Sequence, residues 1–294
     1  MKHKSTQLVL ARCCAISLGL GLAFTANAQL NNPNGIIFDS SGNLWVANSG
    51  ANQVLEVNPT NGVILNTITE SVSSPTRLAI SGDDLYVTNL GTNNVTVYDM
   101  PTLTLELTIN SPAINRPLGI AVDAYGDVYI ANNASSANNV IALNINGRLA
   151  ETLTQDNSGY QFIAPGALTI HGKNIYAGFG RNVGENAVIS YNVGEFLTDY
   201  PLEIVMYNDN VNTGPTGVAF DSKGYVYISE YTSGTAVKYA PNEGRHPVLV
   251  ISQGTGGCEG IAVDNSGNIY VSNSIYNNIT VYNSSGVLIQ TLTP

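Results

Sequence analysis

The sequence predicts an all-β fold, a six-bladed β-propeller with four antiparallel strands in each blade. One sequence motif occurs six times. It begins with a turn residue, then any residue, and then a position that is glycine in most copies. An apolar run follows, then a position that is aspartate in most copies, a short turn with glycine, and an apolar–aromatic–apolar triplet. The third positions of the copies lie 42, 42, 48, 50 and 43 residues apart; they are Gly35, Arg77, Gly119, Ala167, Gly217 and Gly260. Repeats of this length in β-rich sequence are typical of propellers.

Each repeat contains four short apolar runs separated by turn residues, which predicts one four-stranded blade. In the first unit the predicted strands are Gly35–Phe38, Leu44–Ala47, Val54–Val57 and Val63–Ile68. In the sixth unit they are Gly260–Val263, Asn268–Val271, Ile279–Tyr282 and Val287–Leu292. Because the last unit supplies all four of its strands, we expect the ring to close without a strand from the N-terminal segment.

An aromatic residue occurs in the second strand of every unit. The six are Trp45, Tyr86, Tyr129, Tyr176, Tyr227 and Tyr270. They could form an aromatic ring around a ligand. The interpretation we favour is that each packs between neighbouring blades, since a repeat cannot bury its own faces alone and the same packing problem recurs six times.

The first 28 residues have the features of a secretory signal peptide. A basic start is followed by the apolar run Cys13–Phe24, too short to span a membrane, and by the small-residue cleavage signal Ala26–Ala28. We therefore expect a mature chain that begins at Gln29 and is exported, to the periplasm or the extracellular space of a bacterium. Residues 29–294 contain no linker-like segment, which predicts one domain.

Composition limits the partners of the mature chain. The sequence has 11 basic and 21 acidic residues, and the predicted leader holds three of the basic ones and no acid, so the mature net charge is −13. This charge disfavours nucleic acid and anionic membrane surfaces. No apolar run after the leader is long enough to span a membrane. Only Cys258 remains after cleavage, so no internal disulfide can form. We expect a monomer.

The repeated motif resembles the NHL repeat, and the copies that match it best begin at Pro117 and Glu259. The fourth unit departs most, with Ala167 for glycine and a hairpin that contains His171. The resemblance implies a propeller over residues 33–294. It leaves the function open, because NHL-type propellers include protein- and RNA-binding modules, sensor domains and lyases.

Strand direction sorts the connections onto two faces of the predicted ring. One face, called here the loop face, carries the segments that enter the first strands and the loops between strands two and three. The other, the hairpin face, carries the strand one–two hairpins with their Asp-x-x-Gly turns. We expect a small polar ligand or a protein partner at the channel mouth of the loop face. The candidate binding residues there are Asn34, Asn48, Arg77, Asn89, Asn132, Glu230, Glu259 and Asn273.

These candidates fall into two groups. The asparagines that end the second strands have an alternative, structural interpretation, in which they satisfy backbone groups of the loops. Arg77, Glu230 and Glu259 place charge where the repeat has none. Such departures are typical of functional sites.

Two kinds of catalytic site can be compared with this mouth. A zinc lyase site needs several converging imidazoles, whereas the mature chain has only His171 and His246, both expected on the hairpin face. The repeats are also distantly similar to SMP-30/gluconolactonase-like propellers. That resemblance implies a divalent cation, Ca²⁺ or Mn²⁺, with Glu259 and Asn34 as candidate ligands. The equivalent positions of the other units offer no acid; they are Thr76, Leu118, Gly166 and Thr216.

We therefore interpret the chain as an exported NHL-type propeller that acts as a ligand- or protein-binding module. The alternative is a metal-dependent hydrolase or lyase of the SMP-30/gluconolactonase-like kind.

Overall fold

The computed structural model describes residues 29–134, 137–144, 146–155, 161–181, 186–192, 203–206, 215–241 and 246–294. The predicted leader lies outside these residues. Over the described part of the chain, 24 strands form six four-stranded antiparallel sheets, with one short 3-10 turn at Ser49–Ala51. The fold class predicted from the repeats is confirmed. No helix of the described residues has the length and hydropathy to cross a membrane.

The first three blades follow one another along the chain without exchange of strands. Blade 1 contains β1 (Pro33–Phe38), β2 (Leu44–Asn48), β3 (Gln53–Val57) and β4 (Ile64–Ile68). Blade 2 contains β5 (Pro75–Ser81), β6 (Asp84–Asn89), β7 (Asn94–Asp99) and β8 (Thr104–Ile109). Blade 3 contains β9 (Pro117–Val122), β10 (Val128–Ala134), β11 (Ala137–Leu143) and β12 (Leu149–Leu153).

The last three blades repeat this order. Blade 4 contains β13 (Phe162–His171), β14 (Asn174–Arg181), β15 (Asn186–Asn192) and β16 (Glu203–Met206). Blade 5 contains β17 (Gly217–Phe220), β18 (Val226–Glu230), β19 (Thr235–Tyr239) and β20 (Leu249–Ile251). Blade 6 contains β21 (Cys258–Val263), β22 (Ile269–Asn273), β23 (Asn278–Tyr282) and β24 (Leu288–Leu292).

The ring closes between blade 6 and blade 1. Blade 6 has four strands of its own, so the prediction of closure without an N-terminal strand is confirmed. One backbone hydrogen bond, from Leu30 N to Pro294 O at 3.0 Å, ties the two ends of the described chain together. A shared apolar cluster of both blades, which includes Leu30 and Leu292, is buried at this junction.

The recurrent aromatics fill the spaces between blades. Each lies in an apolar cluster that joins its own blade to the next, as Trp45 does with Leu78 and Leu85 of blade 2. In blades 1, 3 and 5 the polar tip of the aromatic reaches the turn aspartate of the hairpin face; Trp45 Nε1, for example, donates to Asp39 Oδ2 at 2.9 Å. The prediction of a packing role is confirmed.

The glycine of the repeat is required by close packing of the first strands. A Cβ added at Gly260 would lie 2.6 Å from Asn34 O, and one added at Gly119 would lie 2.9 Å from Gly166 O. In both cases the clash is with the backbone of the next blade, which cannot move aside as a flexible side chain can. The first strands therefore pack closely around a narrow channel.

Candidate functional site

Arg77 occupies the channel at the loop face. It stands where four other blades have glycine, and only 8% of its surface is exposed. Its Nε and Nη2 donate to Thr216 O at 3.0 and 2.7 Å, and its Nη1 donates to Thr76 O at 2.9 Å. Nη2 also reaches the carbonyl and the carboxylate of Glu259, at 3.0 and 3.2 Å. The side chain thus crosses from blade 2 to the opposite side of the ring and closes this end of the channel.

The carbonyls that Arg77 binds belong to a ring of equivalent groups, at the second position of each repeat. In three blade junctions a hydroxyl at the end of strand two satisfies the carbonyl of the next blade. The donor–acceptor pairs are Thr88 with Leu118, Ser229 with Glu259, and Ser272 with Asn34. These bonds tie each of those blades to its neighbour at the rim of the channel.

Arg77 replaces two of these hydroxyls. The residues equivalent to Ser272 in blades 1, 3 and 4 are Ala47, Ala131 and Gly178, which have no hydroxyl to donate. The carbonyls opposite Ala47 and Gly178 are those of Thr76 and Thr216, the two that Arg77 binds in addition to Glu259. One guanidinium therefore satisfies acceptors that the repeat leaves without a partner in two blades, because its five donors lie in a fixed fork.

At this mouth the positive charge of Arg77 is paired with the carboxylate of Glu259. Burial lowers the pKa of the Arg77 guanidinium from its ordinary value, and the charge of Glu259 partly opposes this effect. The Glu259 side chain is 17% exposed, so both charges are largely removed from water. Such a pair is held by its own Coulomb attraction and by hydrogen bonds, and it leaves little negative potential to attract another cation.

The four predicted asparagines bind their own loops. In each, the side-chain oxygen accepts from a backbone N–H of the segment that enters the first strand of the same blade. These donors are Asn31 for Asn48, Ser73 for Asn89, Asn115 for Asn132, and Gly256 for Asn273, at 2.7 to 3.1 Å. Their side-chain nitrogens donate to neighbouring backbone or side-chain oxygens. The four amides are thus engaged in shaping the loops of the loop face.

Glu230 takes the place of this asparagine in blade 5. It is buried, and its Oε2 accepts from Ser233 Oγ at 2.9 Å within the following loop. Blade 4 has Phe179 at the equivalent position, packed on Phe162 at a centroid distance of 4.1 Å. Of the eight predicted residues, the described structure brings Arg77 and Glu259 into direct contact.

Asn34 is the remaining candidate at the mouth. Its side-chain Oδ1 is buried without a hydrogen-bond partner among the described residues. This is the one feature of the mouth that favours a ligand-binding role. The neighbouring hydroxyls are already used: Thr76 Oγ1 donates to Pro117 O and Thr216 Oγ1 to Cys258 O. The described part of the chain has no group of three His, Cys, Asp or Glu side chains that could hold a metal ion. The Glu259 carboxylate, the one acid at this mouth among the predicted ligands, is occupied by the Arg77 guanidinium at 3.2 Å, so the described residues do not fit a divalent cation as they stand.

The two histidines lie where the strand pattern predicts, away from this mouth. His171 ends β13 at the hairpin face and stacks on Phe220 with a centroid distance of 4.3 Å. His246 is exposed in the connection that precedes β20. The thiol of Cys258 is fully buried, and burial raises its pKa to about 12, so it has no nucleophilic character near neutral pH.

Sequence reasoning missed an exposed apolar patch on the loop face. Tyr231, in the strand two–three loop of blade 5, and Ile275 and Tyr276, in that of blade 6, are 42%, 61% and 56% exposed. A Cβ added at Gly256 would lie 2.6 Å from the Tyr276 ring, and one at Gly257 would lie 2.9 Å from Ile275 Cγ1. The glycines allow these side chains to rest directly on the backbone. No local sequence signal links these glycines to the patch, because Gly256 and Gly257 are 18 or more residues from its members along the chain.

Comparison with known families identifies one partial match. The family model described as SMP-30/Gluconolactonase/LRE-like region matches residues 21–91, which include blade 1 and the first half of blade 2. The match confirms the predicted similarity to this group over that segment. A search of curated proteins gives no match.

Solved structures with similar folds are numerous. A chain of Kuenenia stuttgartiensis hydrazine synthase has a TM-score of 0.63 at 15% identity, covering 87% of this chain and 97% of that chain. A chain of a nidogen/laminin complex has a TM-score of 0.66 at 14% identity, covering 83% and 90%. Virginiamycin B lyase from Staphylococcus aureus has a TM-score of 0.62 at 15% identity, covering 90% and 85%. At these identities the likeness shows the propeller fold alone.

Proposed function

We propose that this chain is an exported propeller that binds a protein partner at its loop face. The observation that carries the proposal is the exposed patch of Tyr231, Ile275 and Tyr276. Aromatic residues in contiguous exposed patches are enriched at protein interfaces, where they supply apolar area and a polar tip. Because the patch lies against Gly256 and Gly257, its side chains lose little freedom on binding.

Charge narrows the kind of partner. The mature chain has a net charge of −13 if the predicted leader is removed. Glu259 at the adjacent mouth is already paired with Arg77, so the net charge of the chain, and not this carboxylate, favours a basic partner. A basic protein segment with an apolar or aromatic anchor therefore complements the chain, and an acidic segment does not.

Affinity capture from the exported protein fraction of the producing cells tests the proposal. The wild-type mature chain should retain a basic partner that the double variant Ile275→Ser, Tyr276→Ser loses, with at least a tenfold weaker Kd for the purified pair. Tyr125→Ser is the matched control, because Tyr125 is a highly exposed aromatic on the hairpin face. Equal binding by the patch variant, or a captured partner that is acidic, would contradict the proposal.

The alternative function is a metal-dependent hydrolase or lyase. It is favoured by the family match over residues 21–91 and by the buried, unpaired Oδ1 of Asn34. It is opposed by Arg77, whose guanidinium lies where a cation would have to meet Glu259. Lactone hydrolysis in the presence of Ca²⁺ or Mn²⁺, abolished by Glu259→Gln, would establish the alternative.

Export and the monomeric state belong to the same proposal. The support for export is the leader pattern of residues 1–28, with its basic start, apolar run and small-residue cleavage signal. Intact mass of protein from the producing cells should correspond to a chain that begins at Gln29. A retained Met1 in the cytoplasmic fraction would contradict export.

A further inference from the structure

The channel is a blind cavity that opens on the hairpin face. Its volume is about 280 Å³, and its walls run from Arg77 at the closed end to Phe38, His171 and Phe220 at the other. The glycine-lined part beside Arg77 is buried, whereas Phe38 and Phe220 are partly exposed and His171 is exposed. A molecule can therefore enter this cavity from the hairpin face, on the side opposite the patch of the proposed function.

A second depression continues from the mouth of the channel. It lies between blades 1 and 6, has a volume of about 490 Å³, and shares Phe38 and Val263 with the channel. Its lining includes the exposed polar residues Asn265 and Ser266 and the phenol ring of Tyr270. The two depressions together form an elongated site with room for more than one small ring.

The aromatic rings at this mouth are held by their neighbours. Phe220 stacks on His171 at 4.3 Å and contacts Tyr176 at 4.5 Å between ring centroids. Phe38 meets Tyr270 edge to face at 5.0 Å. Because other rings fix their orientation, Phe38 and Phe220 present preformed apolar faces to whatever enters, at a low cost in conformational entropy.

The cavity also offers many hydrogen-bonding groups. The first strand of each blade is an edge strand of its sheet, and it lines the channel. Its inner edge therefore presents backbone N–H and C=O groups to the channel. The charged groups at the site are already compensated. Arg77 is paired with Glu259, and the turn carboxylates of Asp39 and Asp264 each accept three hydrogen bonds from their own hairpins.

The geometry points to a binding site for a neutral saccharide at the hairpin face. A sugar ring combines an apolar C–H face, which packs on Phe38 or Phe220, with hydroxyl groups that both donate and accept, as the strand edges and Asn265 require. An anionic ligand gains nothing from a guanidinium that is already paired, and a cationic one gains little from carboxylates saturated by N–H groups. A purely apolar ligand would leave the strand edges without partners.

The first test is a glycan array probed with the mature wild-type chain, followed by calorimetric titration with a neutral tri- or tetrasaccharide from the array. We expect saturable binding, weakened about tenfold or more by Phe38→Leu or Phe220→Leu, which remove the flat ring and keep apolar volume. Tyr276→Ser on the loop face should bind the saccharide as the wild type does. This control separates the saccharide site from the proposed protein site.

Hydrogen exchange of the wild-type chain gives a second measurement that needs no variant. The same saccharide should slow amide exchange in the hairpins at residues 38–43 and 263–268 and leave the loop at residues 231–235 unchanged. The inference is overturned if the array shows no neutral glycan bound, or if only acidic glycans bind. It is equally overturned if the leucine variants bind as tightly as the wild type, or if protection falls on the loop face.

Discussion

Replacement of Arg77 by methionine removes the ion that closes the channel while keeping an unbranched side chain. The change deletes two hydrogen bonds to Thr216 O, one to Thr76 O, and the contacts with Glu259. It leaves the Glu259 carboxylate largely buried with no opposite charge beside it. It also leaves two carbonyls without the donor that Ala47 and Gly178 cannot supply.

The expected cost follows from these losses. Breaking a buried ion pair by removing one partner typically costs about 3–5 kcal/mol. The value here lies near the lower end, because water can reach the freed carbonyls through the open end of the channel. We expect Arg77→Met to lower the free energy of unfolding by about 3 kcal/mol, and Tm by roughly 6–12 °C for a domain of this size.

Urea unfolding and calorimetry of the variant measure this cost. Arg148→Met is the matched control, because Arg148 is an exposed arginine in the turn before β12, and a surface change of this kind costs at most about 0.5 kcal/mol. The double variant Arg77→Met, Glu259→Gln should be more stable than the two single effects added together predict, by about 1–3 kcal/mol. Strict additivity of the two free-energy changes would refute the coupling between Arg77 and Glu259. A cost of Arg77→Met no greater than that of the control would refute its role in stabilising the channel.

Three further outcomes follow from the described contacts. Asn132→Ala should cost about 2 kcal/mol in urea unfolding, because the N–H of Asn115 loses its acceptor; an unchanged midpoint would show that the amide has no structural role. Gly260→Ala should cost about 1–3 kcal/mol, since the new Cβ would lie 2.6 Å from Asn34 O; unchanged stability would contradict the close packing. Burial and a nearby carboxylate raise the pKa of Tyr239 from 10.0 to about 12, so its contribution to stability is complete below pH 10 and is lost as the pH rises to about 12. Tyr239→Phe should flatten this alkaline decline in an unfolding series, and an equally steep decline would count against the shift.

The repeat predicts most of the fold because its information is local. The apolar runs of the first unit place β1 at Gly35–Phe38, and the structure extends it only to Pro33. The turn residues between runs set each hairpin, and the recurrent aromatics mark the junctions between blades. A pattern repeated in six units indicates a packing contact that forms between each pair of neighbouring blades. The asparagines of the loop face share one structural role for the same reason.

The site is less predictable because it depends on contacts between distant units. The charge of Arg77 at a glycine position is visible in the sequence, but its acceptors lie 139 and 182 residues away along the chain. No local pattern links them. The loss of a hydroxyl at Ala47 and Gly178 acquires its meaning only when the ring places one guanidinium opposite both of the freed carbonyls. The rings at the hairpin-face mouth likewise come from separate blades.

The most direct measurement of the central claim, that an arginine and not a metal occupies the mouth of the loop face, is a crystal structure of the mature chain soaked with Mn²⁺. Anomalous scattering would locate any bound ion. We expect the Arg77 guanidinium within hydrogen-bond distance of Thr216 O and the Glu259 carboxylate, and no anomalous peak at the mouth. A manganese ion bound by Glu259 and Asn34, with Arg77 displaced, would contradict the account.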